Sequence, residues 1–531
     1  MASSIVWSLL GVLLVLYILR RKTDNGLTKV PVVKYIYFLP NIFNRLIFYP
    51  KAKQMIYKGY AQYKDTPFRM LTGDGEVVVL PIKYVDELKH RPPSSISSLD
   101  AQFENALGEY TNIIIHSYLP SMTVRKRLTP SLGRVIPWVI DELRYAFESA
   151  LPECEDRWVS AMPHQVFVRL IARATSRVVA GDSLRRNEEW LNTASSYSVN
   201  VGVTILLLRP FPKFLRPFVA LFLPSVRQMK QQLRFVKDLF IPMINERRAA
   251  EAAATSDYIK PDDFLQWMMD MAEDEQDMDP EALAHHMLIL MSLAVVHTSS
   301  IAMCHALYDL ICMPEYQEPL RVEIRKTLSS GWNNATKSSF DSQRRLDSFL
   351  RESQRFGPPG EFHSVSFHRI VKEPFTLSDG LFLPEGTHIC FPSGPISKDP
   401  NFIPNPNVFD GFRWCQDPAD RDILTIPNTI SNGNLKENQK RNDLVPAPST
   451  STSFISISPS NMHFGFGRQA CPGRFFASCT IKAIFSRIIM DYEFKFEEER
   501  GNWRPANIGI GEHIFPNTST PVLFRKRPME L

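Results

Sequence analysis

From Asp279-Pro280 through Ile311 the chain runs largely apolar for more than 30 residues. Asp at an N-cap followed by Pro in the first turn is a helix start, and the run is several times the mean helix length. A helix this apolar on most of its faces must be buried through the middle of a large domain. The rest of the 531-residue sequence is consistent with such a domain. Glycine is scarce (23) and proline abundant (40), which suits many helices joined by rigid connections. From about 135 to 355 the pattern is mostly helical, and no internal repeat is apparent. Val77-Val78-Val79-Leu80, set between Gly75 and Pro81, reads as a small hairpin edge. Between Phe362 and Ile389 short strands alternate with turns at Ser378-Asp379-Gly380 and Pro384-Glu385-Gly386.

Ile5–Leu19 carries no charge and is followed by Arg20-Arg21-Lys22. As a helix it spans roughly 23 Å at about 1.5 Å per residue, short of the usual bilayer core but near that of a thin one. A cleaved signal peptide wants its positive charge before the apolar run, so residues 1–22 read as a membrane anchor with the bulk of the chain in the cytosol. The Asn334-Ala335-Thr336 sequon is accordingly read as unglycosylated. Residues 23–60 read as a Pro-punctuated approach, and residues 61–531 as the folded domain. Residues 201–224 mix apolar side chains with Arg209, Lys213 and Arg216 and read as a surface that dips into lipid. Residues 416–460, rich in Asn, Ser, Asp and Pro, read as a flexible insertion or an unremoved intron. The net charge is +5, of which Arg20, Arg21 and Lys22 supply three; the remainder has no field for nucleic acid. Seven cysteines without a CxxC pair exclude a disulfide scaffold and a zinc ribbon, and fit a reducing compartment.

Phe464–Ala477 reads FGFGRQACPGRFFA. It is a glycine-relaxed loop that ends in Cys471 and opens into a helix from Arg474 to about Met490. Free N–H groups and the positive end of the helix dipole lower a thiol pKa, so a stable thiolate belongs here. Gly465, Gly467 and Ala470 also fall in the GxGxxA spacing of a dinucleotide loop, but about 60 residues follow, too few for the rest of a doubly wound sheet. On this loop alone a structural cysteine stays open. In LRESQR, residues 350–355, Glu352 and Arg355 share one helical face; taken alone the pair is an ordinary surface bridge. Arg413, in DGFRW, offers a third member.

Together these features resemble the cytochrome P450 family, the haem-thiolate monooxygenases, and most closely its fungal, endoplasmic-reticulum-anchored branch that oxidises terpenoids and other secondary metabolites. Long central helix, ExxR, short β region, Arg413 segment and Cys loop follow in the family's order, over nearly all of residues 60–531. The resemblance implies a mainly α fold with a small β region, the family's triangular prism, preceded by one transmembrane helix. It implies haem b held by Cys471, with Phe464, Gly467, Gln469 and Gly473 of the loop against it, and Glu352, Arg355 and Arg413 as a structural triad behind it. Arg125 and Arg369 match arginines that hold the haem propionates, although Ser121 stands where the family has Trp and Gln469 where it often has Arg or His. In the central helix, Thr298 matches the alcohol of the proton relay, with Ser299 beside it. His297 stands in place of the usual acid, and Val295 in place of Gly. Relay and satisfied core histidine are equally open for His297. Residues 358–366, Leu293, Ala294 and the 201–224 region should line a lipophilic substrate pocket. The resemblance also implies O₂ as co-substrate, an NADPH-cytochrome P450 reductase docking near Arg468 and Arg474, a lipid bilayer and no nucleic acid as partners, and residence in the endoplasmic reticulum membrane. Two alternatives keep the fold: an isomerase or dehydratase that needs no reductase, and a non-catalytic haem-binding protein.

Overall fold

The computed structural model describes residues 27–528 apart from positions 74 and 152 and segments 254–258, 359–363, 418–451 and 498–502. The membrane anchor read at Ile5–Leu19 lies outside the described residues, as does most of the 416–460 insertion. The principal helices are α1 (Asn41–Gln62), α2 (Ser98–Asn105), α3 (Leu132–Ala150), α4 (Pro163–Leu184), α5 (Glu188–Leu208), α6 (Arg216–Phe222), α7 (Pro224–Ala253), α8 (Pro280–Cys312), α9 (Gln317–Thr327), α10 (Arg344–Phe356) and α11 (Arg474–Asp491). Apart from α1, their apolar faces meet in one core that includes Phe167, Trp190, Phe240, Met303, Phe349 and Phe485, all essentially without solvent contact. Helix α8 runs through it. Asp279 caps it by accepting from the Glu281 N–H at 3.1 Å. Between two α-helical stretches, Leu290–His297 is wound as a π-helix, the kind of local widening often found at functional sites.

The strands are β1 (Val32–Val33), β2 (Phe68–Leu71), β3 (Glu76–Val79), β4 (Ile96–Ser97), β5 (Val159–Ala161), β6 (Ser366–Val371), β7 (Phe375–Thr376), β8 (Phe382–Leu383), β9 (His388–Phe391), β10 (Tyr492–Phe496), β11 (Ile508–Ile510), β12 (His513–Phe515) and β13 (Val522–Lys526). The largest sheet has the order β1-β2-β3-β9-β6-β4. The hairpin at Val77–Leu80 is therefore real but is no edge: β3 pairs antiparallel with β2 and parallel with β9. Its three valines are buried. A bulge interrupts the β6–β9 register between Ser366 and Arg369, with Phe367 at φ 63°.

Three readings need correction. A domain boundary at residue 60 would cut α1, whose Phe48, Ala52, Met55 and Ile56 pack on Phe68, Met70 and Val77 of the large sheet. The approach segment is thus part of the folded unit from Asn41 on. Arg216, read as a cation of a lipid-facing surface, turns inward and donates to the Phe211 and Arg209 carbonyls at 2.9 and 3.2 Å. Residues 452–460, the end of the predicted flexible insertion, are packed: Phe454 is buried, stacks edge-on against Phe464, and its N–H donates to Asp347 at 2.6 Å.

Candidate active site

Cys471 is accessible, whereas the other six cysteines are buried. Its own N–H donates to the Phe464 carbonyl at 2.8 Å, closing the loop. The Arg468 N–H donates to the Lys89 carbonyl at 3.1 Å and stitches the loop to the large sheet's flank. That contact explains Gly467, which sits at φ 72°; a Cβ there would lie 2.3 Å from the Lys89 oxygen. Immediately after Gly473 helix α11 begins, and the N–H groups of Gly473 and Arg474 point at the Cys471 sulfur. The expected low thiol pKa is not reached by the protein alone. Although Cys471 is accessible, desolvation by the surrounding protein pushes its thiol up, and outweighs the pull of those N–H groups and of the Arg474 and Arg125 guanidiniums. A cation bonded to the sulfur is what would make the thiolate persist.

On α8, Ala294 is exposed and Thr298 half-buried. The Thr298 hydroxyl donates to the Ala294 carbonyl at 2.9 Å. His297 faces elsewhere: its Nε2 lies 2.6 Å from the Ser195 carbonyl of α5, and its ring centre is 5.8 Å from that of His164 on α4. Burial lowers its pKa, and the bond to Ser195 opposes the shift only in part. His297 Nε2 is thus taken up by a backbone carbonyl of α5, and its ring packs beside His164. Ser299 is buried, which takes it away from the accessible face that Ala294 and Thr298 share.

Arg125 lies in a second π-helical turn, Val124–Leu128, and donates to the Arg468 carbonyl of the Cys loop at 2.6 Å. Arg369 is buried and donates only to the neighbouring His368 carbonyl; its Nε has no partner, and no carboxylate pairs with it among the described residues. Burial lowers its pKa to about 9. Gln469 is committed differently from the reading as a cofactor donor. Its amide accepts from the Ser98 N–H at 2.9 Å and donates to the Ile96 carbonyl at 3.1 Å, clamping β4 and α2 to the Cys loop.

The structure brings Glu352, Arg355 and Arg413 together. Two Arg355 nitrogens donate to the Glu352 carboxylate at 2.9 and 2.7 Å, and Arg413 Nε donates to it at 3.2 Å. Burial alone would raise the Glu352 pKa, but the Arg355 charge and hydrogen bonds, with Arg413 behind them, hold it at about 2. Sequence reasoning missed two donors: Trp414 Nε1 at 3.1 Å and the Asp410 N–H at 3.1 Å. Trp414 directly follows Arg413, so the DGFRW segment held that signal. Further Arg355 and Arg413 bonds to the Ser397, Pro404, Pro406 and Val408 carbonyls tie the segment after β9 onto α10.

A sequence profile described as Cytochrome P450 matches residues 42–513. The chain belongs to the cytochrome P450 family. It is 45% identical over 529 residues to cytochrome P450 monooxygenase paxP of Penicillium paxilli, covering 99% of this chain and 96% of that one. It is 46% identical over 491 residues to cytochrome P450 monooxygenase AtmP of Aspergillus flavus, covering 92% and 88%. With idtP of Claviceps paspali the identity is 36% over 524 residues, 98% of each chain. This P450 is therefore an oxidoreductase of the haem-thiolate monooxygenase family, which sets aside the isomerase and non-catalytic readings.

The residues present fit the haem this family carries. Cys471 offers an accessible sulfur backed by two N–H groups, and Arg369 offers a buried cation whose Nε lacks a partner, suited to a propionate. When bound, thiolate-ligated haem iron supplies O₂ activation strong enough to oxidise unactivated C–H bonds. The chain's own contributions are distinct. Gly473 and Arg474 place N–H groups at the Cys471 sulfur, Arg125 and Arg369 would be the residues to meet the haem's anionic groups, and Thr298 would be the one to present a hydroxyl on the accessible face of α8.

Proposed function

We propose that this P450 hydroxylates or otherwise oxidises a lipophilic terpenoid or related secondary metabolite with O₂ and electrons passed from NADPH by a flavoprotein reductase. The reading places the enzyme at the endoplasmic reticulum membrane with its folded part in the cytosol. The observation that carries the oxidative reading is the accessible Cys471 sulfur at the start of α11. A cavity of about 1040 Å³, lined in part by Phe103, Leu107, Val203 and Leu206, supports a lipophilic substrate. Arg468 is exposed, and Arg125, Lys126 and Arg127 are exposed beside it. This positive surface around the Cys loop supports docking of an acidic redox partner. Membrane residence is supported by the Ile5–Leu19 run and by an exposed apolar face in the 201–224 region, where Phe218 and Phe222 are 65% and 77% exposed. The test is Cys471→Ser with purified reductase and NADPH. The variant is expected to lose both the thiolate-shifted absorption of the reduced carbonyl complex and NADPH-dependent product. Retention of both would refute the assignment.

A further inference from the structure

One wall of the cavity is polar in an ordered way that the oxidative chemistry does not use. The wall is made by the end of α2 (Glu104), the start of β9 (His388) and the β11–β12 hairpin (Glu512), with His368 of β6 behind them. These four side chains form a chain. Glu512 Oε2 lies 3.0 Å from His368 Nε2, and His368 Nδ1 lies 2.9 Å from His388 Nε2. Both histidines are buried, at 6% and 8% exposure. A bulge in β6 lies beside His368, between Ser366 and Arg369.

The protons in this chain can be placed. Burial would raise the Glu512 pKa, but the charge on His368 holds it at about 2, so Glu512 is an anion. Burial and that same His368 charge lower His388 to about 3, so His388 is neutral. His368 thus stands between the Glu512 carboxylate and the His388 ring. Where His368 gives a proton to His388 Nε2, the neutral His388 ring carries its own on Nδ1. His388 Nδ1 lies 3.8 Å from Glu104 Oε2 at the cavity wall, too far for a direct hydrogen bond.

We propose that the His388 Nδ1–H and the Glu104 carboxylate together hold a hydroxyl group of the substrate, away from the carbon that is oxidised. The proposal rests on the oxidative reading above. An oxygen lying about 2.8 Å from each atom fits their separation, accepting from His388 and donating to Glu104. A ketone can only accept, and a hydrocarbon does neither. A carboxylate keeps lone pairs for such a donor even when it has another partner. The remaining lining joins apolar residues such as Phe103, Leu107, Val203 and Leu206 with Arg209 and Lys213, so the substrate class is a lipophilic alcohol.

The test uses the haem-loaded enzyme and three probes of one skeleton: cholestanol, cholestanone and cholestane. Dissociation constants are read from the displacement of the haem absorption band on titration. Wild type is expected to bind cholestanol about tenfold more tightly than either other probe, as for one hydrogen bond to a charged group. Glu104→Ala should bring the three within about twofold of one another. The Glu104 side chain is 58% exposed, so this variant should keep the fold; His388→Asn gives a second check on the donor. Equal binding of the probes, no binding of any, or an alcohol preference that survives in both variants would overturn the proposal. The reduced carbonyl complex of the same preparation separates the two failures. With its thiolate signature present, lost discrimination sinks this inference alone; with it absent, the oxidative reading falls as well.

Discussion

Arg369 is a cation placed where its charge costs the protein. Burial without a carboxylate lowers its pKa from 12.5 to about 9, so the penalty for charging it is fully present below about 9 and hence at neutral pH. The site gains that cost back only when an anion arrives beside it. Arg369→Met should therefore act with opposite signs in two states. The haem-free protein is expected to melt at a higher temperature than wild type, while the loaded variant loses haem to an excess of apomyoglobin about tenfold faster, as for one charged hydrogen bond. If both states were destabilised alike, Arg369 would be a structural residue and not an anion donor. Cys471 shows the same economy, since its thiol is pushed up by burial until something positive binds the sulfur.

At the scale of elements, the sequence was most readable where one local rule decided the outcome. The Asp279-Pro280 start of α8 and its length follow from capping and apolar content, and both appear as expected. The ExxR pair and the loop ending in Cys471 were legible as spacing. What spacing could not show was direction. His297 and Thr298 are adjacent in sequence, which leaves relay and core histidine equally open for His297, but successive helical residues point about 100° apart. The π-helical stretch ends between them, and only Thr298 keeps to the accessible face with Ala294. The β6 bulge was hidden for a similar reason, because Phe367 at positive φ follows no residue preference. The two helical neighbours should separate in their effects. Thr298→Ala is expected to cut product formed per NADPH several-fold and release the difference as hydrogen peroxide. His297→Leu should cost about 1 kcal/mol of stability for the lost Ser195 bond and leave product per NADPH near wild type. Measuring both ratios on the same day's reductase preparation decides it, and matching losses in the two variants would reject the division of roles.

For the whole molecule, the exposed apolar face bears on where the enzyme resides. Phe214, Phe218, Leu221 and Phe222 project together from α6 and the turn before it, a grouping unusual for a surface bathed only in water. A variant lacking residues 1–26 is expected to sediment with phospholipid vesicles, and Phe218→Glu combined with Phe222→Glu should weaken that binding about tenfold or more. Unchanged sedimentation would place the lipid contact elsewhere.

The insertion starts and finishes on one helix. Trp414 and Cys415 are held by Ser348 and the Arg344 carbonyl, while Ser453 and Phe454 are held by Arg351 and Asp347. All four anchors belong to α10, within about two turns of Glu352. Chain closed at such a staple costs only about 0.6 kcal/mol for each doubling of its length. Descendants of this gene are therefore free to lengthen or trim the stretch between the staples, so long as the four fastenings survive, without disturbing the carboxylate that gathers Arg355, Arg413 and Trp414.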